Sequence, residues 1–368
     1  MTDSKLNRRN FLKTTAVGAA GLSILANTAS AEAAFEPTLA PGLSQRHIFP
    51  LNHKWLYSEK SSAAAMQTVF NDKTWKQVTI PHTNKMLPMN GFDEKEYTFV
   101  SAYRRHFRLP RELKDHRIFV DFGGVMTAAK VFINGKSLGE YKGGYTPFSF
   151  ELTKNINWTG DNVLAVEVDS TERADIPPFG NLVDYMTFGG IYRDVQIRAV
   201  PTMFISNVFA KPVDVLGSNR SIKVRVDLQG DGSLRVASTG YVIKAELLDG
   251  DKVISSSTKS HVGFATIVTE VINLTENLAG IQLWDLKTPK LYSIRVTLNE
   301  LTTTLDHYET RIGFREAKFT PEGFFLNGKH VKLRGLNRHQ TYPYVGQAMP
   351  ERGQRKDAEI IKKELKCN

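Results

Sequence analysis

Lys130-Val-Phe-Ile-Asn-Gly-Lys136 decides the fold class. Two short runs meet at Asn134-Gly135. A two-residue hairpin needs positive φ at both turn positions, and Asn followed by Gly supplies it at least cost. Upstream, Arg117 to Phe122 alternates Ile118, Val120 and Phe122 against Arg117 and Asp121. Downstream, Asn162 to Asp169 alternates Leu164, Val166 and Val168 against Glu167 and Asp169. A period of two puts each apolar set on one face of a sheet. No long stretch around them carries apolar residues at helical spacing. Residues 45–200 are therefore expected to form an all-β sandwich of the jelly-roll kind.

The same reading extends along the chain. Ser221 to Gln229 sets Ile222, Val224, Val226 and Leu228 against Lys223, Arg225, Asp227 and Gln229. Tyr241 to Leu248, Asp249-Gly250-Asp251 and Lys252 to Ser255 read as a hairpin, and Tyr292, Ile294, Val296 and Leu298 alternate again. Residues 201–312 are expected to form an immunoglobulin-like β-sandwich without a Cys pair, a spacer with no chemistry of its own. In residues 313–368 a second Asn-Gly turn, Asn327-Gly328, precedes a strand over His330 to Leu333. A polar loop follows, then a helical pattern from Asp357 to Lys366 with Ala358, Ile361 and Leu365 on one side. Strand, loop and helix make one unit of a β/α barrel, which typically needs roughly 250 residues. The chain as a whole is expected to be mainly β, ending in the first strand-loop-helix of an incomplete TIM barrel.

Composition excludes several classes of function. The 368 residues are 41% hydrophobic and 23% charged, as in a globular protein of two or three domains. Of the net charge of +10, residues 1–31 carry +3, which leaves +7 spread over the rest. No run of five basic residues occurs, so no nucleic-acid partner is expected. Cys367 is the sole cysteine, which excludes an intrachain disulfide and a Cys-based zinc site.

Residues 1–33 read as an address. Asn7-Arg8-Arg9-Asn10-Phe11-Leu12-Lys13 resembles the twin-arginine export signal, and Thr14 to Ala26 follows as a weakly apolar run too short to span a membrane. Ala29-Ser30-Ala31 and Ala31-Glu32-Ala33 offer small-x-small cleavage sites. The resemblance implies export to the periplasm or the cell exterior.

Four clusters, in order and spacing, resemble glycoside hydrolase family 2. They are Trp75 to Thr83 (WKQVTIPHT), Tyr103 to Phe107 (YRRHF), Gly143 to Phe148 (GGYTPF) and Asp184 to Val195 (DYMTFGGIYRDV). Trp284 to Tyr292 and Arg311 to Glu316 match the family's markers for the end of the second domain, and Arg334 to Gly346 (RGLNRHQTYPYVG) matches its first barrel strand and loop. Within the family the β-galactosidases are most alike. The resemblance implies that residues 45–200 are the sugar-binding domain. It implies an exported retaining enzyme acting on terminal β-galactosides, with β-glucuronidase and β-mannosidase as runners-up. A non-catalytic carbohydrate-binding or interaction protein is a separate reading. Assembly into a homo-oligomer stays open.

By the same resemblance Asp184 contacts the sugar hydroxyls and helps hold a sodium ion; a carboxylate can accept from two vicinal hydroxyls. His339 lies at the end of the first barrel strand and binds the galactose ring. Asn90, in Pro88 to Glu94, sits where the family places a sugar-contacting asparagine, although Asn-Gly is also ordinary turn chemistry. Arg334, Asn337 and Arg338 are read as loop supports, and Gln340 stands where many relatives have Glu. Trp55, Trp75 and Phe148 are read as core rather than sugar platforms. Retaining glycosidases need two carboxylates about 5–5.5 Å apart. The family supplies both as glutamates on later barrel strands, together with magnesium ligands, and no segment here matches them. Glu351, Glu359 and Glu364 lie on the wrong segment. No catalytic residue is assigned, and the chain as given is expected not to hydrolyse a glycoside.

Overall fold

The structure, a computed structural model, describes residues 45–368 apart from 89, 92, 178, 180–184, 231–239 and 262–266. The export signal and its cleavage sites lie outside the described residues.

The first sandwich follows the alternation. One sheet has the order β1-β12-β5-β9, from β1 (His47–Pro50), β5 (Arg117–Phe122), β9 (Phe148–Glu151) and β12 (Val195–Val200). The facing sheet is β3-β2-β4-β10-β7-β8. Its strands are β2 (Trp55–Ser58), β3 (Lys76–Val78), β4 (Val100–Phe107), β7 (Ala128–Ile133), β8 (Lys136–Lys142) and β10 (Asn162–Asp169). A small pair, β6 (Val125–Met126) with β11 (Gly190–Ile191), lies at one end. Described pairs are antiparallel, as a jelly roll requires. The Asn-Gly turn is as expected: Asn134 has φ 51° and Gly135 φ 79°. Ile118, Val120, Leu164, Val166 and Val168 are buried between the sheets with Trp55 and Phe148. The core reading of those two aromatics holds. Trp55 Nε1 donates to the Leu51 carbonyl, and Phe148 stacks on Phe122 and Tyr141.

The outer face of the larger sheet is also covered, which alternation alone does not show. The turn Ala63–Met66 and its neighbours pack Ala65 and Met66 onto Ala102 and Ala165, with Phe70 and Trp75 alongside. Arg104, on an outward position of β4, is thereby fully buried. It donates to the carbonyls of Ala65 and Gln67 and, at 2.6 Å, to Asp72. A buried charge is tolerated when paired and hydrogen-bonded in this way.

The second sandwich packs a three-stranded sheet, β13-β14-β17, on a four-stranded one, β16-β15-β18-β19. In chain order these are β13 (Phe204–Val213), β14 (Ser221–Gln229), β15 (Tyr241–Asp249), β16 (Lys252–His261), β17 (Ile267–Leu274), β18 (Tyr292–Glu300) and β19 (Thr303–Ile312). The predicted inward residues of β14 and β18 are all buried, around a fully buried Phe314. Phe204 joins the two sandwiches. It is buried against Phe119 and Val200, and the guanidinium groups of Arg46, Arg117 and Arg198 lie over its ring. Arg117 and Asp121 face away from the first core, as read, but Arg117 is buried at this joint. It donates to Gly230 O, just past β14 of the second sandwich, and to Glu151.

A small antiparallel sheet follows, with β20 (Ala317–Thr320), β21 (Gly323–Leu326) and β22 (Lys329–His330). The strand expected over His330 to Leu333 stops at His330. Residues 331–340 take no regular structure, because a strand needs a neighbour to satisfy its backbone. Asn368 fills part of that role: its side chain accepts from Arg334 N and donates to Lys332 O. The helix expected over Asp357 to Lys366 is α1 (Glu351–Lys363). Pro350 opens it, and Lys366 at φ 57° lies past its end. None of its residues is buried, and Leu365 is 55% exposed, so its apolar side meets no core among the described residues.

Candidate functional site

The loop carrying His339 is fastened to the first sandwich. Tyr344 N donates to Leu87 O at 2.6 Å, and Gln347 Nε2 donates to Met186 O at 3.1 Å. Ala348 is buried with Met126 and Tyr192. Gly346 is the point of closest approach. It has φ 54°, and a Cβ there would lie 2.7 Å from Thr83 Oγ1 and 2.8 Å from Phe188 Cγ. Only glycine serves both demands. On its other side the loop is tied to α1. Arg338 donates to Asp357 (2.6 and 2.8 Å), to Gln354 Oε1 and to the Tyr342 hydroxyl, which itself donates to Asp357. Arg338 is thus engaged in holding the loop.

Of the predicted site residues, His339 is exposed and stacks on Tyr185, with centroids 5.1 Å apart and planes 28° off parallel. Tyr185 follows Asp184 in the chain, and Asp184 itself lies outside the described residues. Asn90 is exposed on the turn shortly after Leu87, in the segment that receives Tyr344. Gln340 points elsewhere, into a groove of about 570 Å³ shared with Tyr192, Arg193, Gln347 and Glu351. Tyr185 was not singled out in the sequence. The available signal was its place in the strongest cluster, beside a candidate ligand-binding carboxylate. Among the described residues no three His, Cys, Asp or Glu side chains come together to hold an ion. Asp184, which the resemblance offers to sodium, lies outside the described residues, and no chemical step is routed through either ion.

Beneath the docked loop, burial shapes the ionisable groups. Burial, with the Tyr185 hydroxyl beside it, pushes the Tyr145 phenol up. His82 Nδ1 lies 2.9 Å from the hydroxyl of Tyr103, which is fully buried. Which of the two groups donates depends on the tautomer of His82. Burial, and then the charge of Lys76, lower its pKa from 6.5 to about 4. The folded value is depressed, so the unfolded chain takes up the proton first. Stability is full above pH 6.5 and falls as the pH drops towards about 4. The loss is roughly 3 kcal/mol. Melting curves from pH 7 downward are expected to show this slope, and His82→Gln is expected to flatten it. An equal slope in the variant would show that His82 is not the group responsible.

The comparisons with known proteins agree with this architecture. Residues 42–201 match the sugar binding domain of glycosyl hydrolases family 2, and residues 203–315 match a second domain of the same family. Residues 5–24 match the twin-arginine translocation pathway signal sequence, so the chain is addressed for export. No helix among the described residues is long and apolar enough to cross a membrane. A β-galactosidase of Thermoanaerobacterium thermosulfurigenes is 41% identical over 88% of this chain and 45% of its own length. One from Thermoanaerobacter pseudethanolicus is 39% identical over 88% of this chain and 43% of its own. The solved structure of a Bacteroides uniformis β-glucuronidase superposes with a TM-score of 0.79 at 30% identity, over 88% of this chain and 39% of that one. The chain thus spans less than half the length of these relatives. Two consecutive domain matches, the β-galactosidase relatives and the shared pair of sandwiches place this chain in glycosyl hydrolase family 2.

Proposed function

We propose that this chain is the sugar-recognition portion of an exported retaining β-galactosidase that hydrolyses terminal β-galactosides. One observation carries the reading. The barrel-type loop is clamped to the sugar-binding domain so that His339 lies on Tyr185, next in sequence to Asp184. His339, Asp184 and Asn90 would then line the rim of a sugar pocket. His339 makes no hydrogen bond among the described residues, which leaves both ring nitrogens for sugar hydroxyls. Bond cleavage needs two carboxylates about 5–5.5 Å apart, and the family places both on later barrel strands. The relatives named β-galactosidase support the galactoside reading.

β-Glucuronidase is the second reading, favoured by the Bacteroides uniformis structure. A glucuronide adds a carboxylate, which calls for a cation at the rim. Arg338, the cation nearest His339 in the chain, already serves Asp357. The purified chain is expected to show no turnover of an aryl β-galactoside and none of an aryl β-glucuronide. Activity that disappears with a single Asp or Glu substitution within this chain would overturn the reading.

A further inference from the structure

His339 has an exposed imidazole on a segment without regular structure, and among the described residues no hydrogen bond orients it. The face of Tyr185 is what it rests on. The Tyr185 ring is in turn tethered at its hydroxyl. The Tyr145 hydroxyl donates to the Tyr185 hydroxyl at 3.2 Å. Tyr145 is itself fixed at its backbone: Arg193 Nη1 donates to Tyr145 O at 3.0 Å, and the Tyr192 hydroxyl donates to Gly144 O. A line of contacts therefore runs from the β11–β12 connection of the first sandwich, through Tyr145 and Tyr185, to His339.

We propose that Tyr185 is the positioning residue for His339. It sets the plane of the imidazole so that the ring nitrogens meet the hydroxyls of a β-galactoside, and Tyr145 sets the plane of Tyr185. The proposal rests on the galactoside reading above for the identity of the ligand, but not for the stack itself. The Tyr185 ring does the work through its face; its hydroxyl serves only to receive the Tyr145 tether.

The test uses the whole chain with isopropyl β-thiogalactoside as probe. The His339 ring is followed by proton–carbon NMR, its signal identified by its loss in His339→Gln. In Tyr185→Ala the His339 ring protons are expected to move downfield, out of the shielding of the Tyr185 face. Probe affinity is expected to fall about threefold to tenfold, the worth of an aromatic pair. Tyr185→Phe keeps the ring but loses the tether, as Tyr145→Phe does, so each is expected to keep most of the affinity and to move the signal only part of the way. A His339 signal that stays in place in Tyr185→Ala overturns the proposal. So does a loss of affinity with that signal unmoved, which would mean that Tyr185 touches the sugar itself. A signal that moves in Tyr185→Ala while the wild type binds no probe upholds the stack and overturns the galactoside reading instead.

Discussion

Replacing Asp306 by alanine is expected to destabilise the folded chain by about 3–5 kcal/mol, the cost of removing one partner from a buried ion pair. Asp306 is fully buried in the second sandwich. Its carboxylate accepts from Arg46 Nε at 2.8 Å and Nη2 at 2.6 Å, and from the Ile205 backbone amide at 2.8 Å. Arg46 lies just before β1 of the first sandwich and also donates to Ile205 O. Alanine would leave a largely buried guanidinium and an amide without their acceptor, at the point where the two sandwiches meet. Asp306→Asn keeps an acceptor and should cost less. Denaturant titration of the three forms checks this. A loss below about 1 kcal/mol, the usual worth of an exposed pair, would show that solvent reaches the joint.

The second large effect concerns the docked loop. Gly346→Val puts a branched side chain at φ 54° and directs its Cβ onto Thr83 and Phe188. Left-handed backbone and overpacking together are worth about 2–5 kcal/mol, enough to release a loop held by two hydrogen bonds and one buried alanine. We expect trypsin to cut at Arg334 or Arg338 well before it cuts the wild type, and the His339–Tyr185 stack to be lost. The sandwiches should melt nearly unchanged. Cleavage at the wild-type rate would mean that the loop is held by something other than its fit around Gly346.

Most of the fold was legible because most of its strands bury one face. Alternation located β5, β10, β14 and β18, and Asn-Gly located two hairpins. The misses have physical causes. The covering of Arg104 by the turn at Ala63–Met66 has no local signal, because a period of two says nothing of what lies on the second face. Lys332 and Leu333 have the composition of a strand but pair with no strand. Composition sets a propensity, and a neighbouring strand has to satisfy the backbone. At the site, Asp184, His339 and Asn90 were legible only through resemblance. The stack on Tyr185 joins positions far apart in the chain, and no local pattern encodes such a contact.

A β-galactoside is expected to meet this chain at His339 and Asp184. Saturation-transfer NMR with isopropyl β-thiogalactoside tests it most directly, on the wild type and on a His339→Ala, Asp184→Asn double variant. Saturable binding by the wild type is expected, weakened at least tenfold (about 1.4 kcal/mol) in the double variant, with methyl β-glucuronide a poor competitor. Equal binding by both forms, or none by the wild type, would contradict it.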